Sequence, residues 1–171
     1  MGNTHDIASL IFETPISIFR DTKFMLSDEE EYFFFSEFSF YLFFLMAGNC
    51  MADNLCEKDF LMDIENKLAN LFVKTIGNTA EDYKEIIRNR FSSYKSTKSN
   101  TNEERSLERE NIFLYILKND TEKNGFCLVN IPKSILVTPS NALHRTYYKL
   151  AMIEILKTFD ILIKKIKLNN S

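Results

Sequence analysis

The run from Tyr32 to Ala47 constrains this chain more than any other stretch. It holds seven phenylalanines and two tyrosines, interrupted only by Ser36, Glu37 and Ser39. A segment so apolar cannot face water on any side, so it belongs at the centre of a fold. Its sixteen residues fall short of the roughly 20 that span a bilayer, and Glu37 near the middle would be costly at membrane depth. Ser27 with Glu30 three residues on reads as a capping box, and the acidic residues around them suit the positive end of a helix dipole. The expectation is a buried helix from about 28 to 49, ending near Gly48-Asn49, with no membrane span. A helix apolar all round is ringed by others or shared across a dimer.

With 171 residues the chain suffices for one domain, 1–171, with a subdivision between a helical core, 1–95, and C-terminal helices, 104–171, as the alternative. Four glycines and three prolines are too few for the turns of a β-sandwich or barrel. The fold class that follows is all-α: a single-domain bundle of five to six helices around a Phe-rich central helix.

Helical spacing marks the other elements. Ile7, Leu10 and Ile11 precede Pro15, so residues 5–20 read as a short helix or arm. Phe60, Leu61, Ile64, Leu68, Leu71, Phe72 and Ile76 form an amphipathic stripe over 57–76, stopped by Gly77. Asn78 or Thr79 caps the next helix, whose stripe is Tyr83, Ile86, Ile87, Phe91 and Tyr94. Residues 95–103 are loop-like, and a fifth helix runs from about 104 to 119. Thr138-Pro139 opens the last helix, with Tyr148, Met152, Ile155, Phe159, Leu162 and Ile166 on one stripe.

The net charge of −3 gives no general attraction to nucleic acid or acidic membranes. Cys50, Cys56 and Cys127 form no CxxC pair and leave one thiol over, which suits a reducing, cytoplasmic setting. With two histidines, no HExxH and no glycine-rich phosphate loop, the sequence offers no catalytic constellation, cofactor site or metal site. Asp59 and Asp63 lie four apart, but a solvated acidic face accounts for them. Ser36 and Ser39 are expected to bond back into their own helix. Glu37, if buried, needs a partner such as Arg20, Arg88 or Arg90. The basic residues interleaved with Phe91 and Tyr94 read as a solvated face.

Two functional classes follow. In the first, the protein is non-enzymatic and acts through contacts with itself or another protein. It is then a homodimer, with Phe40, Phe43, Phe44 and the apolar face of the last helix nearest a shared or apolar-ligand surface. In the second, residues 126–168 form a winged-helix-like segment of a small transcription regulator. Asn141, His144 and Arg145 would meet base edges, Asp160–Leu168 would form a wing strand, and Lys164 and Lys165 would touch phosphates. A strand after Asp160 supports that reading, and a helix there sinks it.

Overall fold

A computed structural model of the chain describes residues 4–22, 28–123 and 142–169, and the side chains of 4–17, 32–117 and 148–168. The described residues form six helices: α1 (Thr4–Thr22), α2 (Asp28–Ala52), α3 (Lys58–Ile76), α4 (Ala80–Lys95), α5 (Asn102–Lys123) and α6 (Ala142–Asn169). No strand occurs among the described residues. The fold is the expected all-α bundle.

The Phe-rich helix is its axis. α2 packs against all five other helices, which surround it in the order α6, α1, α3, α4, α5. Every residue from Phe33 to Phe44 is buried. By length and composition Tyr32–Ala52 also qualifies as a membrane span, and most of it is covered here by the chain's own helices.

Aromatic rings link α2 to its neighbours. Phe72 of α3 sits between Phe12 of α1 and Phe40 of α2, with centroids at 5.0 Å from each, and stacks on Tyr83 of α4 at 5.3 Å. Phe113 of α5 meets Phe38 edge-on at 4.9 Å and stacks on Tyr41 at 4.7 Å. Such pairs add about 0.5–1.5 kcal/mol each beyond the area they bury.

Several boundaries depart from the sequence reading. α2 continues through Gly48 and Asn49 to Ala52, because the stop signal lies further on. Asn54 takes φ 52°, and the Leu55 amide donates to the Cys50 carbonyl at 2.8 Å, closing the last turn. Gly77, with φ 105°, does end α3. Thr79 rather than Asn78 caps α4, in a reciprocal capping box with Asp82. The Ser27 cap and the Thr138-Pro139 start lie outside the described residues.

The largest departure is α1, one helix that runs straight through Pro15. A proline at 15 has no N–H for the Ile11 carbonyl, normally a costly loss inside a helix. Here Ser39 of α2 supplies the missing donor, its hydroxyl bonding the Ile11 carbonyl at 3.1 Å in the interior. Ser36 bonds back to the Tyr32 carbonyl at 2.6 Å, as expected, whereas Ser39 reaches across to another helix.

Candidate functional site: an interior ion pair and an open helix face

The first chemically distinctive place is the centre. Glu37 of α2 and Arg90 of α4 are both wholly buried. Arg90 donates from Nη2 to Glu37 Oε1 at 2.7 Å and from Nε to both carboxylate oxygens at 3.0 Å, and its Nη1 reaches Asn89 Oδ1 at 3.2 Å. Arg90 is therefore the partner among the three arginines considered, and it is not part of a solvated basic face. The α4 stripe is Tyr83, Ile86, Ile87, Arg90 and Tyr94, with Phe91 on its flank. Periodicity places position 90 inward as well as 91. Only the need of a buried carboxylate for a charged donor reveals which residue it favours.

Around the pair lie phenols that burial holds neutral. The Tyr94 hydroxyl is pushed well up, first by burial and then by the nearby Glu37 carboxylate. Tyr41 lies 5.2 Å from Tyr94, ring to ring, and is raised by burial and by Glu110. Tyr148 of α6 donates to Glu110 of α5 at 2.6 Å, bridging those helices. Arg109 lies over the Phe44 ring at 5.6 Å. With Glu37 held in the Arg90 fork and both at zero exposure, the arrangement fixes how α2 and α4 meet.

Phe40, Phe43 and Phe44 lie inside the chain rather than on a shared surface. Phe40 packs on Phe72, while Phe43 and Phe44 each sit 5.2 Å from Phe91, and none exceeds 6% exposure. The chain's own helices cover them, so they form no outer face for a second copy.

The second distinctive place is the outward side of α6. Five of the nine exposed large hydrophobic residues among those described lie on this helix: Leu150, Ile153, Leu156, Ile161 and Leu168. Its inward side carries Ala151, Ile155, Thr158, Leu162, Ile163 and Ile166, all buried. The outward side spans about 27 Å of helix. Lys157, Lys164, Lys165 and Lys167 are exposed along it, and Lys157 pairs with Glu154 at 2.7 Å.

Asp160–Leu168 is helical, so the segment supplies no wing strand. Lys164 and Lys165 are exposed on this helix, whereas Asn141 and the side chains of His144 and Arg145 lie outside the described residues. Asp63 bonds Lys67 at 2.7 Å and accepts from Thr4, tying α1 to α3, while Asp59 remains exposed. Lys67 first, then Thr4, holds the Asp63 carboxyl below its usual range. Sequence reasoning did not anticipate that Cys50 and Cys56 meet. The turn that ends α2 brings the two thiols near enough to influence each other's protonation. A six-residue separation spanning a helix end was the available signal.

No family model, curated protein or solved structure matches this chain.

Proposed function

We propose that this protein is a non-catalytic helical module that acts through protein contacts and pairs with a second copy of itself along the outward face of α6. The observation that carries this is the uncovered apolar row on a helix whose other side is already buried. Exposed apolar residues concentrated on one element, rather than scattered singly, mark an interaction surface.

The pattern favours a self-partner in one orientation. Leu150, Ile153, Lys157, Ile161, Lys164 and Leu168 follow three- and four-residue steps, the spacing of a helix–helix seam. Two antiparallel α6 helices related by a twofold axis level with Phe159 set Leu150 opposite Leu168 and Glu154 opposite Lys164. The lysine-rich end of each then faces the acidic Glu154 of the other. A parallel pair would crowd Lys164, Lys165 and Lys167 against their copies. The lysine stems add apolar cover while their charges reach water.

Sedimentation velocity over a micromolar concentration series tests this. The expected result is a concentration-dependent dimer that Glu154→Lys and Lys164→Glu each weaken and that the double reversal restores. A monomer throughout the series overturns the self-pairing. A dimer indifferent to both charges overturns the antiparallel geometry.

A further inference from the structure

Cys50 is fully buried in the last turn of α2, and Cys56 is half-exposed just before α3. The intervening turn is tightly closed. Asp53 donates to the Asn49 carbonyl at 3.0 Å and Leu55 to the Cys50 carbonyl at 2.8 Å, with Asn54 in the left-handed region at φ 52°. This closure carries the chain back over the end of α2. Cys56, the residue after Leu55, is thereby returned to the Cys50 corner, near enough for each thiol to act on the other's protonation.

We propose that Cys50 and Cys56 form a reversible redox modification site, a dithiol that low-molecular-weight disulfides of the glutathione class convert to an internal disulfide. This inference is independent of the α6 reading, since the corner lies on other helices.

The two sulfurs have unequal roles. Cys56 is the accessible one; burial pushes its thiol up, and the neighbouring Cys50 thiol partly offsets that rise, so Cys56 has the more available thiolate of the two. The Cys50 thiol is pushed up to about 12 by burial first and by Cys56 second, so it stays protonated while Cys56 reacts. The thiolate, not the thiol, is the attacking species. In the first step the Cys56 thiolate attacks one sulfur of the small disulfide, forms a mixed disulfide and releases one small thiolate. In the second, Cys50 gives its proton to solvent and attacks the Cys56 sulfur, expelling the second small thiolate. The protein loses two hydrogens and the oxidant becomes two thiols. A small dithiol reductant reverses both steps by exchange.

The experiment uses the folded full chain with an excess of oxidised glutathione, followed by alkylation and peptide mass mapping. No Lys or Arg separates Cys50 from Cys56, so trypsin leaves both on one peptide and Cys127 on another. The expected result is that the Cys50–Cys56 peptide loses two hydrogens and both alkylatable thiols. Cys127 still takes up label, and dithiothreitol restores the other two. Cys56→Ser should abolish the change, and Cys50→Ala should stop the reaction at a glutathione adduct on Cys56. A stable adduct on Cys56 of the unaltered chain, a bridge to Cys127, or reaction only after denaturation would each overturn the proposal.

Discussion

α2 and α6 are the two longest helices, of 25 and 28 residues, and both carry more apolar surface than one buried stripe requires. Their fates differ. α2 is surrounded by five neighbours and hides even its polar residues, so Ser36, Glu37 and Ser39 must find partners inside. α6 lies at the rim, and its outward leucines and isoleucines stay open to solvent. The difference teaches that apolar content locates a buried helix only when neighbours are available on every side. Where they are not, the same content becomes a surface with something left to cover.

Breaking the interior side of this contrast should have the largest effect. Glu37→Ala takes the carboxylate from the Arg90 charge at zero exposure, which should cost about 3–5 kcal/mol. Urea denaturation would show it, and Glu37→Leu combined with Arg90→Met should recover most of the loss. An equal loss in the single and double variants would mean that volume, not charge, governs the site.

Ser39→Ala should cost about 1–3 kcal/mol, because it bares the Ile11 carbonyl inside the bundle. Adding Pro15→Ala returns an N–H to that carbonyl, so the Ser39→Ala penalty should shrink in that background. A cycle of the four proteins measures the coupling.

Towards its C-terminal end α2 emerges from its ring. Gly48 is exposed and helical there, with nothing within 4 Å of an added Cβ. Gly48→Ala should therefore stabilise the protein by about 0.5–1 kcal/mol, seen as a higher thermal midpoint. On the rim, Ile153→Ser with Leu156→Ser should change the monomer's unfolding free energy by no more than about 0.5 kcal/mol. The same pair should abolish the concentration-dependent dimer. A large loss of monomer stability would show that the α6 face is already covered within the chain.

Where the sequence was legible follows from the same contrast. The Tyr32–Ala47 run fixed the centre, since no other position tolerates so many aromatics, and Gly77 and Thr79 marked their boundaries by backbone chemistry alone. That a buried Glu37 needs an arginine was legible, but which of three it takes, how Pro15 is tolerated and the Cys50–Cys56 meeting were not. Each depends on a residue far along the chain or across a turn: Glu37 for Arg90, Ser39 for the carbonyl behind Pro15, and the Asn54 turn for the thiols. Local spacing carries no trace of such partners. Phe40, Phe43 and Phe44 misled for the opposite reason. Apolar excess was visible, but whether the chain's own α3, α4 and α5 would absorb it was not.

One contact bears on how the chain assembles. Thr14 of α1 and Thr158 of α6 meet in the interior at 3.4 Å, across 144 residues of sequence, and α1 packs along α6. Helical bundles usually fold fast because their contacts are local, whereas this one joins its first helix to its last. The cost of closing so long a loop falls before the contacts that reward it. The packing of α1 is therefore complete only once α6, at the far end of the described residues, is in place beside it.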